Sequence, residues 1–254
     1  MKILALDSSG LVASVAVVEN DTLLAEYTVN YKKTHSQTLL PMLDEISNMT
    51  ELDLSTIDAI AVAGGPGSFT GLRIGSATAK GLGLALEKPL ISIPTTAAIA
   101  YNIWDTNKFV CPIMDARRNQ VYTGVYCYTD HRLDTVWEQD TMSIEALAEG
   151  LNCLDHEVIF LGDGVAVYRE KLEALLTIPF SFAPAHVNRQ RAAAVGALAE
   201  VYYKEGKIQT AEEHEPEYLR KSQAERERAE RESVKHADCL LYTSDAADDT
   251  PCVD

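Results

Sequence analysis

Apolar positions along residues 3–18 fall into two runs separated by the polar turn Asp7-Ser8-Ser9-Gly10, and β-branched residues fill the second run. The pattern predicts a β-hairpin with an acidic residue at its bend. Residues 23–29 extend it as a third strand. Leu39, Leu40, Met42, Leu43 and Ile46 then recur at helical spacing beyond a candidate cap at Thr34. Pro41 lies inside that run. A proline in a regular helix interior costs about 3 kcal/mol, so this helix is expected to kink or to begin near Thr38. Residues 57–63 form a short apolar run of the kind that makes a buried strand, and it ends in Gly64-Gly65-Pro66-Gly67-Ser68-Phe69-Thr70-Gly71. A helix is predicted from there to about Glu87. Within it Gly71, Gly75, Ala79 and Gly83 recur every four residues, which places small side chains on one face. An interior glycine costs roughly 1 kcal/mol against alanine, so the row implies that another backbone packs close. Pro89 closes the helix, and residues 90–93 begin another strand.

The pattern then repeats. Residues 109–114, the bend Asp115-Ala116-Arg117-Arg118 and residues 121–128 again read as strand, acidic turn and strand. Residues 158–161, followed by Gly162-Asp163-Gly164, repeat the buried strand that runs into a glycine turn. A degenerate internal duplication is the simplest account. A duplicated α/β unit with an acidic hairpin in each half predicts an actin-like fold (ASKHA, RNase H-like), with the second domain reduced. The expected division is an N-terminal domain over residues 1–105, a smaller C-terminal domain over 106–222 and an extension over 223–254. Residues 192–203, closed by Gly206, form the last predicted helix. Residues 223–236 alternate Glu and Arg with scarcely any apolar residue, so they form at best a solvated helix. Residues 239–254 continue neither periodicity and read as a non-native or disordered stretch, the alternative being an acidic tail.

Composition narrows the function. With 254 residues, 46% hydrophobic and 24% charged, the chain can bury one large core or two small ones. No apolar run approaches the ~20 residues that a spanning helix needs, and no signal-peptide pattern opens the chain, so a cytoplasmic location without membrane contact is expected. Cys111, Cys127, Cys153, Cys239 and Cys252 show no C-x-x-C spacing, so buried free thiols are expected rather than a zinc site or disulfides. A net charge of -16 opposes phosphate backbones, and the chain alone is expected to bind nucleic acid poorly. Asp245, Asp248, Asp249 and Asp254 in the terminal stretch supply part of that charge.

The glycine turn is the first candidate for chemistry, because successive amides at a helix N-terminus can cradle an anion. Nucleotide binding there would use Asp7, Ser8, Ser9, Gly65, Gly67 and Ser68. Gly65, Gly67 and Gly71 give G-x-G-x-x-x-G, one residue longer than the dinucleotide fingerprint, and no P-loop lysine follows. The competing reading is a structural turn followed by close helix packing. Asp7 and Asp115 could orient a hydrated magnesium ion, or each could accept backbone hydrogen bonds in its own turn. The histidines include no H-E-x-x-H or H-x-x-x-H pair, and Ser68 lacks the glycine that a nucleophile elbow places two residues on. No catalytic and no metal-binding residue is assigned.

Gly64-Gly65-Pro66-Gly67-Ser68-Phe69-Thr70-Gly71-Leu72-Arg73-Ile74-Gly75 resembles the signature of the TsaB (YeaZ) family. Further stretches agree with it. These are Ile3-Leu4-Ala5-Leu6-Asp7-Ser8-Ser9, His35-Ser36-Gln37-Thr38-Leu39-Leu40-Pro41, Met114-Asp115-Ala116-Arg117-Arg118 with Val121-Tyr122, and Pro216-Glu217-Tyr218-Leu219-Arg220. The resemblance implies an actin-like fold and a non-catalytic subunit that pairs with TsaD and, with TsaE, supports threonylcarbamoyl transfer to tRNA adenosine 37. The transferase chemistry would sit in TsaD, whose metal-binding histidine pair has no counterpart in Pro94-Thr95-Thr96-Ala97-Ala98-Ile99-Ala100. The resemblance further implies a partner interface on the helices of residues 36–46 and 72–86. Its candidates are Ser36, Leu39, Leu40, Leu43, Leu72, Arg73, Gly75, Ser76, Ala79, Lys80 and Gly83. The same small-residue row could instead pack on its own sheet, and one helix cannot offer one face to both. No cofactor of its own is implied, with ATP and magnesium belonging to the assembled complex, tRNA met only through that complex, and a homodimer when alone. The alternative is an ATP-binding, small kinase-like enzyme or ATPase of the same superfamily, supported by Asp7 and the glycine turn.

Overall fold

A computed structural model describes residues 1–31 and 35–220. The readings of Thr34, of the charged run at 223–236 and of the stretch at 239–254 lie outside the described residues, as do Cys239 and Cys252. Met1–Leu219 packs as one compact unit.

Strands β1 (Lys2–Asp7) and β2 (Val12–Glu19) pair antiparallel, with Ala5 opposite Ala16 and Asp7 opposite Ser14. Strand β3 (Thr22–Asn30) continues on the far side of β2. Helix α1 (Leu39–Thr50) leads into β4 (Ala59–Gly65), which is parallel to β1. Helix α2 (Phe69–Leu86), strand β5 (Leu90–Pro94) and helix α3 (Thr95–Ala100) complete the half, giving sheet order β3-β2-β1-β4-β5. The second half runs β6 (Phe109–Asp115), β7 (Gln120–Thr129), β8 (Arg132–Ser143), α4 (Ile144–Leu154), β9 (Val158–Leu161), α5 (Val165–Leu175), β10 (Phe180–Phe182) and α6 (Ala192–Lys204). Its sheet order, β10-β9-β6-β7-β8, matches the first element for element. The duplication glimpsed in two hairpins and two glycine turns is therefore complete, and the fold is actin-like. The second half keeps its five strands and is reduced in its glycine-turn unit, where α5 has 11 residues against 18 in α2 and β9 has 4 against 7 in β4, whereas β7 and β8 are longer than β2 and β3.

Strands β1, β2 and β4 are buried on both faces, which is why they read as continuous apolar runs. Ile3, Ala5, Ala16 and Ala61 face Val195, Leu198 and Ala199 of α6, while Leu4, Leu6, Val15 and Val62 face Leu39, Leu43 and Ile46 of α1 and Ala79 of α2. The alternation along β1 follows from the two-residue period of a strand. Helix α6, from the second half of the chain, thus covers the first sheet. In return α3 reaches the second sheet, where the Thr96 hydroxyl lies 2.7 Å from that of Tyr126.

Helix α1 begins at Leu39, so Pro41 falls in the first turn, where its missing N–H breaks no intrahelical bond, and the expected start near Thr38 holds. The helix buries Leu39, Met42, Leu43 and Ile46, each contributing roughly 1.5 to 3 kcal/mol. The expectation of buried thiols holds for Cys111 alone among the described cysteines. Cys127 is half-buried, and Cys153 is exposed because it lies on the outer face of α4, whose inner face carries Ile144, Leu147, Ala148 and Leu151. No helix among the described residues is long and apolar enough to cross a membrane.

Candidate functional site

Strand β1 ends at the fully buried Asp7, and the chain turns through Ser8 and Ser9 before β2. Asp7 Oδ1 accepts hydrogen bonds from the Ser9 amide at 2.8 Å and the Ser9 hydroxyl at 2.7 Å, so the carboxylate closes its own turn. The glycine turn after β4 packs directly against it. The Ser68 amide donates to Ser9 O at 2.7 Å, and the Ser8 hydroxyl donates to Gly71 O at 2.9 Å. A Cβ on Gly67 would stand 2.3 Å from Ser9 O, and one on Gly71 would stand 2.1 Å from Ser8 O. Neither position admits a side chain. The Ser68 hydroxyl, in turn, caps α2 by accepting from the Gly71 amide at 3.3 Å. Asp7, Ser8, Ser9, Gly67 and Ser68 are thus brought together, as a backbone-to-backbone joint.

Gly65 completes the joint on its other side. Its φ of +123° is a backbone state that favours glycine, and a Cβ there would lie 2.2 Å from Glu217 O. The Glu217 amide donates to Gly64 O at 2.7 Å, which ties the Pro216-Glu217-Tyr218 strap to the turn. Gln139 of β8 locks the strap in place. Its Nε2 donates to Glu217 Oε2 at 2.6 Å and to Gly65 O at 3.3 Å, while its Oε1 accepts from the Thr96 hydroxyl at 2.8 Å. The Tyr126 hydroxyl, pushed up by burial and so held protonated, donates to Thr96. Outside, the Tyr218 ring lies 4.7 Å from that of Phe69, and the Arg73 guanidinium sits 4.0 Å over Phe69. Sequence motifs named both the strap and the glycine turn, but nothing in the sequence pointed to Gln139, Thr96 or Tyr126.

Beside the joint lies a set of buried polar atoms with no hydrogen-bond partner among the described residues: Asp7 Oδ2, His35 Nδ1 and both ends of the Gln190 amide. Two of these side chains, His35 and Gln190, meet at Gly10. His35 Nε2 donates to Gly10 O at 2.8 Å, and a Cβ on Gly10 would stand 2.6 Å from Gln190 Nε2. Burial pushes the Asp7 carboxyl up to about 6, against the pull of the Ser9 hydrogen bonds and His35, and Asp163 adds to the rise. Burial also raises Asp163, whose Oδ1 accepts from the Asp115 amide at 3.1 Å. Gln190 carried no sequence signal. Among the described residues no group of three or more His, Cys, Asp or Glu side chains is placed to hold a metal ion.

Asp115, the counterpart of Asp7, is exposed at the end of β6. Its Oδ1 accepts from the Arg117 amide at 2.8 Å and from the Tyr168 hydroxyl at 3.1 Å. The next residues, Arg117, Arg118 and Asn119, all hold positive φ, at 62°, 54° and 60°. Such a conformation costs an L-residue about 1 to 2 kcal/mol. It is braced by Asn119 Nδ2, which donates to both oxygens of the Glu145 carboxylate at 3.0 and 2.8 Å.

The residues expected at a partner interface divide into buried and exposed ones. Leu39, Leu43, Leu72, Gly75, Ser76, Ala79 and Gly83 are buried within the chain itself. The small-residue row of α2 faces its own sheet and turn: a Cβ on Gly75 would stand 2.5 Å from Ser8 Oγ, and one on Gly83 would stand 3.2 Å from Leu90 Cδ2. Ser36, Leu40 and Arg73 point outward, and half-buried Lys80 donates to His214 O at 2.8 Å. At the far end of α2, away from the glycine turn, Gly83, Leu84, Pro89, Ile208 and Glu213 line an open groove of about 410 Å³.

A family model described as "TsaD: tRNA N6-adenosine threonylcarbamoyltransferase" matches residues 22–228. The tRNA threonylcarbamoyladenosine biosynthesis protein TsaB of Bacillus subtilis is 32% identical over 225 residues, covering 89% of this chain and 96% of that relative. The protein of the same name in Escherichia coli is 31% identical over 232 residues, covering 88% and 96%. Among solved structures, YeaZ from Pseudomonas aeruginosa superposes with a TM-score of 0.75 at 27% identity, covering 86% of this chain and 99% of that one.

Proposed function

Since the chain belongs to the TsaB (YeaZ) family of tRNA threonylcarbamoyladenosine biosynthesis proteins, we propose that it is the accessory subunit of a threonylcarbamoyl transfer complex, without transferase chemistry of its own. It works in tRNA modification in the cytoplasm, binding TsaD and, with it, TsaE. ATP and magnesium act in the assembled complex, and the chain pairs with a second copy when alone.

The observation that carries this reading is the filled glycine turn. Ser9 O and Glu217 O occupy the space beside Gly67 and Gly65, and the Ser68 amide is already bonded to Ser9 O. The Ser68 amide is thus committed within the chain and not free to cradle a phosphate. Helices α1 and α2, with the turn before α1, supply the docking surface through the outward residues Ser36, Leu40, Arg73 and Leu84, with Gly81 between the last two. A Cβ on Gly81 would meet nothing within 4 Å among the described residues, so none of them explains an interior glycine that costs roughly 1 kcal/mol; close approach of a partner helix would.

The test is reconstitution with TsaD and TsaE from the same host. The chain should be required for threonylcarbamoyl transfer, and Asp7→Asn or Asp115→Ala should leave turnover within about twofold of wild type. A loss of about a thousandfold with the complex still assembled would place chemistry in this chain. The second reading, a small kinase-like ATP-binding enzyme, draws on the unpartnered atoms of Asp7 and Gln190. Titration of the isolated chain with ATP and magnesium separates the two, since saturable binding without TsaD would favour the enzyme.

A further inference from the structure

The stretch Asp115-Ala116-Arg117-Arg118 matches the family signature, yet the joint leaves it without a role. It forms the tip of the β6–β7 hairpin, where Arg117 and Arg118 are exposed side by side. Among the described residues neither guanidinium meets a carboxylate in an ion pair, whereas Arg132, Arg169 and Arg191 pair with Glu205, Glu173 and Glu26. In a chain with 38 acidic residues against 22 basic ones, an adjacent pair of unneutralised arginines is an exception. The backbone holds the exception in place. Arg117, Arg118 and Asn119 keep successive positive φ angles without a glycine, fastened by Asp115 Oδ1 at one end and by Glu145 and Lys171 on Asn119 at the other. Strain maintained beneath two exposed arginines marks their side chains as presented outward.

We propose that Arg117 and Arg118 are a contact point for the phosphate backbone of tRNA in the assembled complex, an inference that rests on the accessory-subunit reading above. Guanidinium is planar, always charged and carries donors in a fork that matches phosphate oxygens. A protein interface of useful strength centres on buried apolar anchors, and this tip has none: Ala116 is buried in the fold and Asn119 is polar and committed to Glu145. Contacts to a nucleic-acid backbone need only charge and donors. The acidic remainder of the surface confines tRNA to the tip, and the isolated chain consequently binds it weakly.

The test uses the reconstituted complex, an unmodified tRNA transcript and binding isotherms at several salt concentrations. In Arg117→Gly with Arg118→Gly, glycine takes positive φ without strain, so folding is preserved. The double variant should keep its melting temperature and its affinity for the transferase partner, bind tRNA about tenfold more weakly, and show a salt dependence shallower by about one to two counterions. Lysine at both positions should restore most of that salt dependence. Unchanged tRNA affinity in the glycine variant overturns the proposal, and so does loss of partner binding in its place, which would assign the tip to protein contact. A wild-type complex that binds no tRNA would bring down the subunit reading and this inference together, which tells the two failures apart.

Discussion

The β1–β2 turn and the β6–β7 turn occupy equivalent places in two sheets of the same strand order, yet one is sealed and the other is open. Asp7 is wholly buried, with one oxygen lacking a partner among the described residues; Asp115 is exposed. The difference lies in what packs on each. In the first half the glycine turn lies across the acidic turn and joins it through Ser8 and Ser9. In the second half the glycine turn packs on strand β6 instead: the Gly164 amide donates to Ile113 O at 3.0 Å, and a Cβ on Gly162 would stand 2.2 Å from the same oxygen. It reaches the acidic turn only through Asp163 Oδ1, which accepts from the Asp115 amide at 3.1 Å, and the tip beyond keeps Arg117 and Arg118 exposed. Sheet order survives duplication because every strand is determined by many pairings and buried side chains at once. Turns diverge because each depends on a handful of close contacts.

The most severe break of the sealed half is Gly65→Ala, which forces a side chain onto the Glu217 carbonyl at positive φ. It should cost roughly 3 kcal/mol or more in denaturant unfolding, with Gly162→Ala at φ +101° giving a similar loss in the other half. A change at Gly65 below about 0.5 kcal/mol would mean that the strap does not lie on the turn.

The buried carboxylate of the sealed turn should leave a signature in pH. The Asp7 carboxyl is raised in the folded state from 3.8 to about 6. As pH rises through this window the unfolded chain releases the proton first, so the folded state binds more protons and stability falls with rising pH. The loss through Asp7, complete above the folded value, is on the order of 2 to 3 kcal/mol. Asp7→Asn should remove it, so that the stability of the variant relative to wild type climbs from about pH 4 to about pH 6 and then levels off. A flat difference would show that the carboxylate is solvated and the turn open.

The same contrast runs across α2, whose inner face is sealed and whose outer face is open. Ala79→Leu adds bulk at a fully buried position and should cost about 1 to 3 kcal/mol of stability, leaving TsaD affinity of the folded protein unchanged. Weaker TsaD binding at normal stability would restore the inner face to the interface. The smallest effect has the opposite sign. Gly81→Ala places a Cβ in open space and should raise monomer stability by about 1 kcal/mol while weakening TsaD binding. Unaltered TsaD affinity would remove Gly81 from the docking surface.

Much of this architecture is local and could be read from the chain. Strands β1, β2, β4, β6, β7 and β9 announce themselves as apolar runs because both their faces, or one face regularly, are buried, and α1, α2 and α6 through side chains recurring on one face. Helices α4 and α5 escaped although each buries one face, and in the other elements that escaped burial leaves no pattern. Strand β8 is an edge strand with no wholly covered position, β10 spans 3 residues, and α3 spans 6 and is buried all round. The acidic turns, the glycine turn and the Glu217 strap were each legible as motifs. Their meeting was not, since the Ser8 hydroxyl and the Gly71 carbonyl stand 63 positions apart. The row Gly71, Gly75, Ala79 and Gly83 states that something packs close without stating what. Only the tertiary structure decides, by setting Ser8 O where a Cβ of Gly71 would be, because small residues record the absence of space and not the identity of the atoms that fill it.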